Sequence, residues 1–597
     1  MRMPTTAAGQ PVPASRGWLV WVTALPQRRA ALWQRLRALP AWLAARPRRL
    51  VTIARRTPAL AREHWLLALL LTAGLALRVA AQVAYRPALF YIDSMKYLFG
   101  AYPGNDPPGY QILIKPVLDV ANPALVAAVQ HVLGLAIAVL LYAVLLRRGA
   151  PRWLAALATA PVLLDAYQLQ IEQTIMPDVM FEACIAAGLA ALLWQPRPRT
   201  ALIVTGGLFL GASATARQVG EVFILPALAY LLVSLPRWRR RLTQGAILCA
   251  AFALPILAAS FRNEVVIHNF GLAPYAGGSI YGRMAAAADC ATLKLPSYER
   301  ALCPTAQQQR NGPDWLDHQV GSPIKSFQPP PALSNGAVVS DFTHRVLLQQ
   351  PVNVLSAIAR DALKLYAVDR VTAPGDTSIS RWQFQSSYPQ YPPYMTIFSG
   401  QVLFTSFSPE GAVRWIWSAQ RFGGGTPVAV RPLASFLHGY QLGGGYTPGP
   451  LLALMTLAGL AGTLSLARRH ATPAQRDAAR ACLLTFTSAA AFLLVSDTFE
   501  FTWRYQLAAL ITLPPAAALA LTALFTHRRA PAPGSDTQMA AHAAPAAPAA
   551  NGGGQGASHQ ETSDQGNDGR EAGDQGGGPG NGNRPGQPQA RDRTPAS

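Results

Sequence analysis

Apolar runs and polar connections alternate along this chain at the spacing of membrane spans. Ten runs rich in Leu, Ala, Val and Ile stand at residues 65–84, 124–146, 153–164, 179–194, 201–214, 221–235, 242–260, 448–466, 481–496 and 507–525. Seven of them, all but 65–84, 179–194 and 221–235, carry no Asp, Glu, Lys or Arg. An apolar segment of about 20 residues crosses hydrocarbon as a helix, because a helix bonds all its backbone groups internally. The expected fold class is an all-α polytopic membrane protein of about ten transmembrane helices.

The connections give the orientation. Those at 147–148, 196–199, 237–241, 468–470 and 527–529 are basic, the mark of the cytoplasmic side. The connections between them are polar and mixed in charge. This alternation places both termini in the cytoplasm and residues 91–116, 165–178, 261–447 and 497–506 outside. A multi-pass protein of a bacterial plasma membrane is the expected setting. Arg78, near the outer end of the first run, is expected to snorkel or to face a cavity.

Five regions follow. Residues 1–64 form a basic cytoplasmic tail with short Trp/Leu clusters, suited to lying on anionic lipid. Residues 65–260 form an N-terminal transmembrane module. Residues 261–447 have ordinary polarity and many aromatics, and should form a partly folded outer loop domain. Residues 448–526 hold the last spans. Residues 527–597 are Ala/Pro- and then Gly/Asn/Gln/Asp-rich, too polar to bury a core, and are expected to be disordered.

Composition changes the picture only at the margins. Charged residues make up 13% of the chain and the formal net charge is +22. A soluble domain carries roughly a quarter charged residues. The basic excess sits in the tail and inner connections, and no aromatic-interleaved basic platform is present, so no nucleic-acid partner is expected. Cys184, Cys249 and Cys482 fall in apolar runs and read as small core hydrophobes. Cys290 and Cys303 lie in the long loop and can pair if that loop faces an oxidising compartment. No Cys/His cluster has metal-ligand spacing.

Candidate chemistry collects at the outer ends. The loop 91–116, YIDSMKYLFGAYPGNDPPGYQILIKP, holds Asp93, Lys96, Asp106, Tyr110 and Lys115. Segment 165–178 adds Glu172 and Asp178, and Arg217, Arg262, Asp497, Glu500 and Arg504 follow at later outer ends. Glu182 and Glu221 fall within or at the edge of apolar runs. Ionisable groups at membrane depth cost several kcal/mol unless paired or hydrated, so they are functional candidates.

Four stretches together resemble the GT-C class of membrane glycosyltransferases, of the dolichyl-phosphate-mannose-protein mannosyltransferase (family 39) kind. DPPGYQILIKP at 106–116 is similar to the stretch that follows the first outer-loop acid of that class. GGLFLGASATARQVGEVFILP at 206–226, FRNEVVIHNFGLAPYAGGSIYGR at 261–283 and WRYQLAALITLPP at 503–515 resemble later segments. The resemblance covers roughly residues 65–525. It implies transfer of a sugar from a polyprenyl-phosphate donor to an extracytoplasmic cell-envelope acceptor, with inversion at the anomeric centre. Asp93 matches the first-loop acid and would be the general base. Asp178, or Glu172, matches the second-loop acid and would orient the acceptor or assist at a metal. Arg217, Arg262, Arg504 and Lys96 would hold the donor phosphate, a guanidinium being suited to bidentate contact. Asp106 and Tyr110 would line the acceptor side.

The chain departs from the class at two points. Ser94 stands where a second acid is frequent, and Asp106 stands where a histidine is usual. The missing acid favours catalysis without a metal, with Mg or Mn as the alternative. Two other functions fit the same features: a transporter or flippase of a lipid-linked precursor, and a non-catalytic membrane scaffold. Internal repeats and paired Gly/Pro-broken spans, which would favour transport, are not seen. Trp315, Trp382 and Trp415 can stack on sugars, but are better read as loop anchors or core.

Overall fold

A computed structural model describes residues 61–91, 93–100, 103–274, 280–389, 395–398, 401–408, 411–418, 425 and 427–525. The basic tail up to residue 60 and the low-complexity tail from residue 526 lie outside the described residues. The chain divides into Met1–His527 and Arg528–Ser597, and all that follows concerns the first unit.

The first half is a run of helices: α1 (Trp65–Ala84), α2 (Ser94–Phe99), α3 (Gly109–Val120), α4 (Pro123–Arg147), α5 (Arg152–Leu157), α6 (Ala160–Leu164), α7 (Ala166–Gln173), α8 (Asp178–Leu193), α9 (Thr200–Ala216), α10 (Ile224–Ser234) and α11 (Trp238–Ile267). Strand β1 (Tyr85–Arg86) follows α1, and a 3-10 turn, Gln218–Phe223, precedes α10. Beyond residue 280 come α12 (Tyr281–Ala287), α13 (Ala306–Arg310), α14 (Gly312–His318), α15 (Pro323–Ser326), α16 (Asn335–Gln349) and α17 (Pro351–Lys364). Strands β2 (Met395–Phe398), β3 (Gln401–Ser408) and β4 (Gly411–Ser418) form an antiparallel meander, and β5 (Val428–Ala429) pairs with β1. Helices α18 (Arg431–Leu442), α19 (Gly449–Leu464), α20 (Pro473–Ser496) and α21 (Ala509–Phe525) close the described chain.

A helix stands at each of the ten apolar runs. Among the described residues, five elements are long and apolar enough to cross a membrane: α1, α4, α11, Gly449–Ala467 and α20. A sixth is counted if the bent pair Arg152–Leu164 and Ala166–Gln173 is one span. Helix α9, Gln218–Ser234 and α21 are apolar but shorter. The chain is thus a multi-pass membrane protein.

Several boundaries differ from the sequence reading for identifiable reasons. Helix α20 begins eight residues before the expected 481, because Thr472 and Gln475 form a reciprocal capping box with Pro473 in the first turn. Helix α11 takes in the basic cluster at its start and runs on to Ile267, where His268 turns left-handed at φ 53°. Residues 261–267 are therefore helix, not loop. The segment 165–178, expected to be a polar outer connection, holds a helix, α7, buried along its whole length. Asp165 breaks the span there, its carboxylate accepting from the Tyr167 amide and starting α7 at 51° to the preceding pair.

Arg78 does not snorkel. It is 2% exposed and donates to the carbonyls of Val162 and Leu163, the last turn of α6, at 3.0 and 2.9 Å. The bend opens those carbonyls, and a guanidinium satisfies them while complementing the negative end of the helix dipole. Residues beyond 280 have a core of their own, in which Tyr281, Leu302, Leu316, Phe342 and Val354 pack together. Cys290 and Cys303 are disulfide-bonded beside it.

Candidate active site

Asp93 immediately precedes α2, one turn before Lys96. That spacing brings Lys96 Nζ to 3.1 Å from Asp93 Oδ1, and the same ammonium lies 3.1 Å from Asp106 Oδ2. Gly100, at φ 69°, ends α2 and lets the chain return towards Asp106. The Asp-Pro-Pro-Gly stretch then seats Gly109 against the end of α9. A Cβ there would stand 2.3 Å from Thr215 Oγ1, so only glycine permits this approach. The contact carries the first loop to the helix end from which Arg217 projects.

Asp178 opens α8 and is 3% exposed. It pairs with Arg217, and Arg504 Nε lies 3.1 Å from each of its oxygens. Arg504 Nη2 adds a third contact at 3.0 Å to Oδ2, while Nη1 reaches Asp93 Oδ2 at 3.2 Å. One guanidinium thus bridges two carboxylates that are 85 residues apart in the chain. Arg504 is itself buried, lying over the Trp382 and Tyr505 rings at 5.2 and 5.4 Å, and Arg217 covers the other part of Tyr505 at 4.3 Å. Burial alone would raise the Asp93 carboxyl. The Lys96 ammonium and the Arg504 guanidinium outweigh it and hold Asp93 well below the usual carboxylate range.

Ser94 explains its own departure from the GT-C pattern. It is fully buried, accepts from the Tyr91 amide at 2.9 Å and donates to the Ile175 carbonyl at 2.9 Å. It fastens the loop of Asp93 to the loop of Asp178, a duty that an ionised acid, having no proton to donate, cannot perform. Trp382, arriving from the long loop, is also buried here. It packs against Tyr91 with ring centroids 4.7 Å apart and donates to Thr502 Oγ1 at 2.9 Å. Beside it Arg381 donates to the Tyr91 hydroxyl at 3.1 Å. Nothing in the spacing of 381–382 from the spans marked these two as neighbours of the site. Trp315 packs against the separate core beyond residue 280. Trp415 falls in β4, whose side chains lie outside the described residues.

Five of the nine sequence candidates, Asp93, Lys96, Asp178, Arg217 and Arg504, therefore form one connected network, and Asp106 joins it through Lys96. Three do not join it. Arg262 lies within α11 and its hydrogen bond goes to the neighbouring Asn263, because the helix continues past the expected exit. Glu172 is not at a loop surface. It is fully buried on α7, bonded to Arg78 at 2.7 Å and to His131 Nδ1 at 2.9 Å. Tyr110 is 2% exposed, and its hydroxyl donates to Gln130, whose amide in turn bonds the Glu172 and Thr174 carbonyls. Glu172 and Tyr110 belong to a polar network inside the helices, tied together through Gln130, His131 and Arg78. Of the two acids near apolar runs, Glu182 is buried and accepts from the Gln168 amide at 2.7 Å, while Glu221 is exposed in the 3-10 turn.

Among the described residues no three His, Cys, Asp or Glu side chains gather as a metal-binding set. The two carboxylates nearest to one already face ammonium and guanidinium nitrogens. A divalent cation would have to displace Arg504 to reach both.

Comparisons with known proteins agree with the resemblance read from the sequence. Residues 93–269 match the model of the dolichyl-phosphate-mannose-protein mannosyltransferase family. The match begins at Asp93 and takes in Asp178 and Arg217, while Arg504 lies beyond it. Comparison with curated proteins finds no match. Among solved structures, the archaeal oligosaccharyltransferase AglB from Archaeoglobus fulgidus, in complex with an inhibitory peptide and a dolichol-phosphate, aligns over 77% of this chain and 50% of its own, at 13% identity and a TM-score of 0.36. The chain thus spans about half the length of that protein. The family match falls on the segment that holds Asp93, Lys96, Asp178 and Arg217.

Proposed function

We propose that this chain is an inverting glycosyltransferase that moves a hexose or pentose from a polyprenyl-phosphate donor to an extracytoplasmic cell-envelope acceptor. It does so as a ten-span protein of a bacterial plasma membrane with cytoplasmic termini. The observation that carries the proposal is the bridge of Arg504 between Asp93 and Asp178, with Lys96 and Arg217 alongside. Three cations around two carboxylates, two of them on Asp93, suit a reaction that creates a phosphate monoester and consumes an alcohol proton. The bonded Cys290–Cys303 pair supports an oxidising, extracytoplasmic location for the long loop.

The chemistry follows from charge. The acceptor hydroxyl oxygen attacks the anomeric carbon from the face opposite the leaving group. Its proton passes to Asp93, and the bond from the anomeric carbon to the phosphate oxygen breaks with its electron pair on the lipid phosphate. Lys96, Arg217 and Arg504 neutralise that growing charge, which is where preorganised cations act most strongly. Asp178 keeps the two arginines in position.

The same cations make Asp93 a poor base at rest. A donor phosphate competes for Lys96 and Arg504, and as they turn to it the Asp93 carboxylate regains basicity. Donor binding thereby switches on the base, and no step is routed through a metal. The test is reconstitution of the full chain in vesicles with radiolabelled polyprenyl-phosphate sugars and envelope acceptors. Transfer with any donor supports the reading. Donor translocation across the bilayer without sugar transfer would replace it with a flippase.

A further inference from the structure

Helix α17 is apolar on two faces. One face, with Val354 and Ile358 at 1% and 7% exposure, packs into the core beyond residue 280. About a third of a turn away, Val352, Leu355 and Leu363 recur at the spacing of one helical stripe and are 76%, 62% and 64% exposed. Leu348, at the end of α16, is also exposed, at 79%. A soluble surface does not keep such a row uncovered.

The fold shows what lies beside it. The end of α17 abuts a membrane-spanning helix: the Tyr366 hydroxyl meets Thr456 Oγ1 of α19 at 3.1 Å. Thr456 is seven residues, about 10 Å, into that helix. At the start of α19, Gly449 is pressed against the Tyr366–Ala367 backbone, where a Cβ would stand 2.0 Å from the Ala367 carbonyl oxygen. The outward row of α19 is itself apolar, with Leu454 and Leu457 at 64% and 63% exposure. The stripe on α17 therefore begins where a lipid-facing surface ends. It is also on the side of the candidate site, since Lys364 Nζ lies 4.9 Å over Phe501, three residues from Arg504.

We propose that α17 is an interfacial helix, its stripe of Val352, Leu355 and Leu363 seated at the headgroup–acyl boundary of the leaflet on the site's side. The occupant is lipid, because the stripe continues the lipid-facing surface of α19. Arg360 flanks it, exposed and at the edge where a long cationic side chain reaches headgroups. The inference rests on α19 crossing the membrane and does not depend on sugar transfer.

Nitroxide scanning of the full chain tests it. Cys184, Cys249 and Cys482 are replaced by Ala and the Cys290–Cys303 bond is kept. Labels are then placed through Val352→Cys, Leu355→Cys and Leu363→Cys, and through Asn353→Cys, Ala357→Cys and Arg360→Cys, in vesicles of phosphatidylethanolamine and phosphatidylglycerol. Arg360 donates to the Ser356 carbonyl one turn before it, and all six positions but the half-buried Ala357 are exposed. The expected result is a collision ratio of oxygen over a water-soluble nickel complex several-fold higher at the first three than at the second three. Equal, water-like ratios at all six would overturn the proposal. So would labels at the first three that both reagents fail to reach, which would mean a protein surface covers the stripe. A Leu457→Cys label reads the membrane placement separately: a water-like value there would overturn that placement and this inference with it.

Discussion

Replacing Asp93 with Asn separates catalysis from folding at this site. The change removes one charge and keeps the shape. Lys96 retains Asp106 and Arg504 retains Asp178, so no cation is left without an acid. Asp93 is 25% exposed and Lys96 28%, a pair open enough to contribute about 0–1 kcal/mol, and the Asn side-chain oxygen can still accept from the buried Arg504. The unfolding midpoint should therefore move by no more than a few degrees. Sugar transfer should fall by about two to four orders of magnitude, the usual share of a positioned base, or roughly 3–5 kcal/mol of barrier. The folded carboxyl is depressed below its ordinary 3.8. Its pairing thus stabilises the wild type above that value and is lost as pH falls through the lower folded one. The small stability gap between wild type and Asp93→Asn should narrow in acid. The assay is transfer from radiolabelled polyprenyl-phosphate donor in vesicles, with thermal unfolding in parallel. Transfer at the wild-type rate would refute the role of Asp93, and a large drop in midpoint would refute the claim that its pairing is energetically minor.

Four other outcomes are expected. Arg504→Lys keeps a charge but cannot bridge two acids; with charge-assisted hydrogen bonds worth about 1.5–3 kcal/mol each, donor KM should rise by roughly tenfold to a hundredfold, and an unchanged KM would remove Arg504 from phosphate binding. Ser94→Ala should lower stability by about 1–3 kcal/mol, since it removes the hydroxyl that bonds the buried Ile175 carbonyl and the Tyr91 amide, and Ser94→Asp should be worse, both read by thermal unfolding. Replacing Cys290 and Cys303 with Ser opens a bridge of sequence separation 13 and should cost about 3 kcal/mol, a loss that reductant reproduces in the wild type and not in the variant. Asp497 is buried, and with Asp361 nearby its carboxyl is pushed up to about 8; its neutral form is favoured in the fold, so stability falls as pH rises from the ordinary 3.8 towards 8, and Asp497→Asn should unfold at higher temperature than wild type at alkaline pH, with the difference vanishing in acid.

What the sequence disclosed and what it hid have separate physical causes. Apolar runs are local, and a helix in lipid follows from composition, so each run does hold a helix. The acids and arginines of Asp93, Asp178, Arg217 and Arg504 were legible for a related reason: charged groups are rare in such a chain, and those at one set of span ends share a side. Failures came where a polar residue is satisfied by something distant. Glu172 reads as a loop acid until Arg78, 94 residues away, is found capping the helix break beside it. Arg262 reads as an outer cation because the end of α11 depends on the left-handed turn at His268 rather than on hydropathy. Ser94 is the most instructive of these. In the sequence it is a missing acid that favours catalysis without a metal. In the fold it ties the Asp93 loop to the Asp178 loop, and that tie holds the two carboxylates within reach of one guanidinium. The residue that departs from the pattern is thus one of those that assemble the site, and a second acid in its place would loosen the geometry on which the proposed transfer depends.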